Sequence, residues 1–328
     1  MMRASPRPGL DSEGPPPLRM IATPPHWRDG LLMGGLGMLA FSGTLPATRL
    51  AVPAFGPMLV TSARIEVAAI LGVLTLLVGR QWRLPDRRYW PGVFWMGFGL
   101  AVAYPLFVAL ALERAPAAHG AVVIGLAPAA TAVVAVVRAG ERPPRAFWIA
   151  CLIGVAAVLV FALHQGGGRV SLADGWLVAA MLSVGIAYVE GGQAARALGG
   201  ATTLCWAMIA MAPIAAAPLA LGLLHHDWEQ PIPGPAWAGL VYACVISMFL
   251  GSIAWYRGLA AGGIARIGQL NLIQPLLALL WSALLLGERV TNVALVCAGV
   301  VVASMIVCVR SRVAARAPAA PSSDVRQT

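Results

Sequence analysis

A chain of 328 residues that is 59% hydrophobic and only 11% charged, with a mean hydropathy of +0.79, is not built like a soluble domain, which carries about 25% charged residues. Its formal charge of +10 rests on 23 basic residues, every one an arginine. They are scattered between apolar runs rather than gathered on one stripe, which excludes a nucleic-acid surface as the reason for the charge.

Residues 1–28 are rich in proline and arginine and show no helical period, so a disordered cytoplasmic tail is expected there. It does not read as a secretory signal, because no small-residue cleavage site follows the first apolar run. Continuous apolar runs then recur at about 31–46, 55–79, 92–112, 117–138 and 146–164, and again at about 174–194, 202–223, 235–256, 264–286 and 293–309. About 20 apolar residues cross a bilayer, and a lipid-facing backbone must satisfy its own hydrogen bonds. The expected fold class is therefore an all-α integral membrane protein with ten transmembrane helices; a barrel would show short alternating strands. A second disordered cytoplasmic tail is expected at 311–328.

With the N-terminus inside, 18 arginines fall in cytoplasmic segments and 4 outside, while Arg64 lies within a span. That positive-inside bias explains the net charge and puts both termini in the cytoplasm. A bacterial inner membrane is the expected location.

The chain also repeats itself. Pro128 lies in an apolar run closing in Gly140-Glu141-Arg142, and Pro275 in one closing in Gly287-Glu288-Arg289, every matching position 147 residues apart. The same shift lays Ala40-Phe41 on Ala187-Tyr188 and Arg49 on Arg196. Two five-helix repeats follow, at 29–165 and 172–310. Five is odd, so the second enters the membrane the other way up. Inverted repeats of this kind are a recurring plan of secondary transporters, with substrate held near the midplane.

Polar residues inside the runs are the site candidates. Arg64 and Glu66 lie deep in the second span, where an ionisable group is costly. Two residues apart on a helix, they cannot pair with each other. Glu190 sits near the end of the sixth span just before Gly191-Gly192; a helix ending there would set its carboxylate at the unfavourable pole. Asn271 and Gln274 share a face of the ninth span beside Pro275. Thr44, Tyr104, Tyr188, Trp206, Trp255 and Tyr256 complete the candidate cavity lining. Pro46, Pro128 and Pro275 each free a carbonyl one turn earlier and bend their helices. Glu141 and Glu288 read as structural acids in the first turn of the helix that follows each. Glu66 or Glu190 could carry a proton, with Glu66 favoured for its depth, while Arg64 cannot release its proton. His119 reads as a helix-end hydrogen-bonder. Cys151, Cys205, Cys244, Cys297 and Cys308 lie in apolar runs without CxxC or zinc-type spacing and read as small buried hydrophobes. No metal or cofactor is expected.

The paired proline–Gly-Glu-Arg stretches, Leu126 to Arg142 and Leu270 to Arg289, resemble the EamA-type members of the drug/metabolite transporter superfamily. Phe41-Ser42-Gly43-Thr44-Leu45-Pro46, Arg64 and Trp255-Tyr256-Arg257-Gly258-Leu259 add to the likeness, which covers about residues 30 to 310. The resemblance implies a ten-helix bundle whose central cavity moves a small metabolite, amino acid-like or amphipathic, usually outward. The partners expected are that small molecule and the lipid bilayer, with no nucleic acid; proton coupling, uniport and a homodimer all stay open. A membrane-embedded enzyme would need a catalytic set, and neither HExxH nor GxSxG occurs. A sensor or scaffold is the third class, although no soluble domain is present to receive a signal.

Overall fold

A backbone stretch removed from water must pair its own N–H and C=O groups, and every regular element among the described residues is helical. The computed structural model describes residues 27–139, 144–165, 170–262 and 268–316. In the first half α1 (Trp27–Ser42), α2 (Thr44–Val78) and α3 (Trp90–Gly97) are followed by a π-helical stretch, Phe98–Ala103. That stretch runs into α4 (Tyr104–Arg114), and α5 (Ala117–Ile124), α6 (Ala127–Ala139) and α7 (Arg145–Gln165) come after it. The second half begins with α8 (Leu172–Leu198), α9 (Gly200–His225) and α10 (Gly234–Val241). A second π-helical stretch, Tyr242–Gly251, leads into α11 (Ser252–Gly262). A 3-10 turn, Gly268–Ile273, precedes α12 (Gln274–Leu286) and α13 (Asn292–Arg316). The first tail through residue 26, Glu141 with its Gly-Glu-Arg motif, and the chain beyond Arg316 lie outside the described residues.

Six helical stretches are long and apolar enough to cross a bilayer, and three shorter ones are also apolar. The first extends from Arg28 to Val78, 51 residues. At 1.5 Å per residue that is roughly 76 Å of helix, against roughly 30 Å of hydrocarbon core, so it cannot be one crossing. It breaks at Gly56, with φ 74° and ψ 158°, a conformation open to glycine. Pro57 reinforces the break, because the residue before a proline is pushed out of the helical region. Before Gly56 the chain packs antiparallel to α10 and α11, with Gly34 against Gly258, Gly37 against Trp255 and Ala47 against Gly239. After it, Leu59 meets Gly222 and Gly72 meets Cys205 on α9. The chain therefore reverses at this glycine.

Three sequence expectations change here. Residues 47–54, expected as an external connector, are helical, and Arg49 donates to the Leu112 carbonyl on α4. The helix carrying Glu190 continues through Gly191-Gly192 to Leu198 and stops at Gly199, with φ 83°. A glycine inside a helix costs only about 1 kcal/mol, and Gly191 packs directly on Met96. Glu190 is thus not at a helix C-terminus. At the far end α13 continues to Arg316 instead of giving way to a tail at 311, as the good helix formers alanine and arginine in that stretch allow.

The outer surface is as apolar as the core. Leu74, Leu152, Leu284 and Val296 are all more than half exposed, and each such side chain left in water would forfeit about 1.5–3 kcal/mol. Inside, glycines let backbones touch. A methyl group added at Gly37 would sit 2.7 Å from the Trp255 backbone nitrogen, whereas one added at Gly35 meets nothing within 4 Å. Overpacking costs roughly 1–3 kcal/mol, so Gly37→Val is expected to lower the unfolding midpoint in detergent. Gly35→Ala is expected to leave it unchanged or raise it.

Candidate functional site

Helix interruptions converge near the middle of the bundle. Pro46 cannot continue the hydrogen-bond ladder, and α1 gives way to α2 at Gly43. Groups beside that break are taken by donors from the second half. Tyr242 donates to the Ala40 carbonyl at 3.0 Å, Gln274 to the Phe41 carbonyl at 3.5 Å, and Trp281 to the Ser42 hydroxyl at 2.9 Å. In the same way α5 ends at Ile124, the carbonyl that Pro128 on α6 cannot reach with a donor. The 3-10 turn Gly268–Ile273 ends just before Pro275. Gly125 faces Pro275 across the gap, close enough that a methyl there would lie 3.2 Å from the proline ring.

A cavity of about 80 Å³ lies among these breaks. Ligand pockets generally run to roughly 300–1,000 Å³, so the bundle is drawn in around this space. Thr44, Arg64 and Tyr104 line it from the first half; Tyr188, Ser247, Ser252, Asn271 and Gln274 line it from the second. Apolar walls come from Phe41, Leu100, Ile124 and Met248. Thr44 and Ser247 share a hydrogen bond of 2.6 Å that joins the halves. The two π-helical stretches bring Leu100 on one side and Ser247 and Met248 on the other to the wall, a use in keeping with the concentration of π-bulges at functional sites.

Arg64 is the one charged side chain among the described residues of this lining. It is 2% exposed. Its Nη2 lies 3.9 Å from the Met248 sulfur, and its Nε and Nη1 have no hydrogen-bond partner. Asn271 Oδ1 is buried without a partner as well.

Of the residues chosen from sequence, Thr44, Arg64, Tyr104, Tyr188, Asn271, Gln274 and Pro275 meet at the cavity, while Pro46, Glu66, Glu190, Trp206, Trp255, Tyr256 and Glu288 are not in its lining. Glu66, some 200° around α2 from Arg64, is half-buried, with one carboxylate oxygen unpartnered. Glu190 is half-buried on α8, where its backbone carbonyl packs on Gly92. Trp206 packs against Trp82, tilted, and Trp90, edge-on, at centroid distances of 5.1 and 6.2 Å. Trp255 packs edge-on to Phe41 at 6.0 Å, and Tyr256 lies over Gly200. Pro46 acts through the backbone break and is not part of the wall. Phe41, Ser247, Met248 and Ser252 were missed; apolar and hydroxyl residues in an apolar run carry no signal of facing a cavity.

One end of the bundle is clamped across the halves. The Glu288 carboxylate, on the connector after α12, accepts from the backbone N–H groups of Ala117 and Ala118 at 2.9 and 2.8 Å. The acid thus serves a helix N-terminus, as expected, but that of α5 in the other half instead of the helix that follows it. Beside it the His119 ring and Asp174 are 2.6 Å apart and both buried, and Asp174 closes a capping box with Ser171.

A model of the EamA-like transporter family matches residues 28–163 and again 171–310. The chain is 42% identical over 262 residues to the uncharacterized transporter YdeK of Bacillus subtilis (strain 168), spanning 80% of this chain and 90% of that one. It is 23% identical over 262 residues to a probable terminal-alkyne amino-acid exporter of Streptantibioticus cattleyicolor, covering 80% and 86% of the two chains. A solved crystal structure superposes with a TM-score of 0.60 at 20% identity over 88% of this chain and 98% of that one, a likeness of fold.

The clamp has a measurable consequence. A capping side chain contributes about 0.5–2 kcal/mol, and hydrogen bonds to a charged group about 1.5–3 kcal/mol each. Glu288→Ala is therefore expected to destabilise the protein by roughly 2 kcal/mol or more in denaturant unfolding from micelles. Glu288→Gln, which keeps one acceptor oxygen, is expected to fall between it and the wild type.

Proposed function

The chain belongs to the EamA-like transporter family, and we propose that it exports a small amino acid-like or amphipathic metabolite by alternating access around the cavity beside Arg64. It is a multi-pass bacterial membrane protein and a transporter, not an enzyme. In our reading the two halves are inverted five-helix repeats with both termini cytoplasmic. Dividing the first long helix at Gly56 and adding the three shorter apolar helices brings the crossings to ten.

Paired contacts support the inverted arrangement. Gly92 packs on Ala194 and Gly239 packs on Ala47; shifting either contact by 147 residues and exchanging the partners produces the other. The π-helical stretches 98–103 and 242–251 overlap under the same shift. An exchange of this form is what a two-fold relation between halves requires, and the odd number of crossings in each half turns its axis into the membrane plane.

The observation that carries the function is a cavity of about 80 Å³ walled by both halves, mostly apolar but holding a buried arginine. Rocking of one half against the other would open it to either side in turn. The relative named as an amino-acid exporter supports the substrate class.

Purified protein in liposomes loaded with a radiolabelled amino-acid mixture is expected to release label faster than protein-free vesicles; equal release would remove the proposal. The same vesicles address proton coupling. Glu66 and Glu190 stand away from the cavity wall, so Glu66→Gln is expected to preserve both the flux and whatever response the wild type shows to an imposed pH gradient. Loss of that response with flux retained would make Glu66 the proton carrier.

A further inference from the structure

Arg64 presents an imbalance that the protein itself does not correct. A guanidinium is charged at every working pH and has five N–H donors to satisfy. In this protein it is 2% exposed in the middle of an apolar bundle. A buried charge is ordinarily paired with its opposite or costs heavily. Its Nε and Nη1 have no hydrogen-bond partner, and no carboxylate among the described residues is found paired with it. Its neighbours Tyr104, Cys244 and Met248 are a phenol, a thiol and a thioether, none of them a counter-charge. Glu66, two residues away on the same helix, is turned to another face and keeps an unpartnered oxygen of its own.

The geometry points to Arg64 as the receiving group for a carboxylate on the transported molecule, whose apolar body rests against the walls of the same cavity. This rests on the transporter reading above and adds the substrate's charged group and the residue that holds it. Two features favour an amphiphilic carboxylate over other anions. A second cation is missing from the described lining, so a doubly charged phosphate would be left half compensated. Leu45, Leu100, Ile124 and Leu272 form much of the wall, which a bare inorganic anion would leave facing water. Tyr104 and the Thr44–Ser247 pair add hydroxyl groups to the wall.

The test uses the full-length protein in detergent micelles, read by its thermal unfolding midpoint. Sodium butyrate, butyramide and sodium chloride are titrated separately, with ionic strength held constant by a large excluded salt. Wild type is expected to show a saturable upward shift with butyrate, little with chloride, and none with butyramide. Arg64→Gln is expected to lose the butyrate shift while unfolding no earlier than wild type without ligand, since it removes an uncompensated buried charge. Arg64→Lys keeps the charge and is expected to retain a reduced shift, so it decides the matter should the glutamine variant fail to fold. The assignment is overturned if wild type shows no saturable shift with butyrate, if butyramide matches butyrate, or if chloride does so. It is equally overturned if the butyrate shift survives in Arg64→Gln or is absent from a folded Arg64→Lys. Liposome flux separates this from the transporter reading. Butyrate binding through Arg64 with no flux sinks transport alone, whereas undiminished amino-acid flux in Arg64→Gln sinks the carboxylate assignment alone.

Discussion

The structure depends on one constraint: a peptide group in an apolar medium must find a partner inside the protein. Continuous helix meets that demand everywhere except at a few interruptions, and most of these border the cavity. The break at Gly43 is closed by Tyr242 and Gln274 reaching across from the second half. The gap between α5 and α6, the 3-10 turn before α12 and both π-helical stretches each contribute residues to the wall. Irregular backbone is tolerated in a bilayer where protein or a cavity surrounds it. Here the tolerated places and the polar place coincide.

The cavity also shows how duplication and divergence divide the work. Positions 147 residues apart occupy the wall in pairs: Phe41 with Tyr188, Leu100 with Ser247, Ile124 with Asn271, and Ala127 with Gln274. The scaffold thus brings equivalent positions to the same space. In each of these four pairs the first half offers a hydrocarbon and the second a hydroxyl or an amide, so the polar lining is lopsided. Arg64 has no charged counterpart, since the matching position is Met211. Repetition fixes where the cavity lies; loss of repetition gives it chemical character.

Much of this could be read from the sequence because membranes penalise polar groups so heavily. Arg64, Tyr104, Asn271 and Gln274 stood out within apolar runs, and all four are on the wall. Depth along a helix was legible, but direction around it was not. Glu66, Trp206, Trp255 and Tyr256 stood out in the same way and face elsewhere. Ser247, Ser252 and Met248 were invisible, because small hydroxyl and thioether side chains sit comfortably on any face. The reversal at Gly56 was passed over although Gly56-Pro57 carries its signal. Sequence alone set the connector at 47–54 and began the next span at 55, where the chain instead turns on a single residue.

The Glu288 clamp bears on how such a protein spends its time. Its carboxylate holds two amides at the start of α5, and α5 carries Ala121 and Ile124 of the cavity wall. Parting the halves at that end strands a negative charge and two amide donors at once, unless water enters as they separate. Under the alternating access proposed above, any opening at that end would have to hydrate the carboxylate and both amides together.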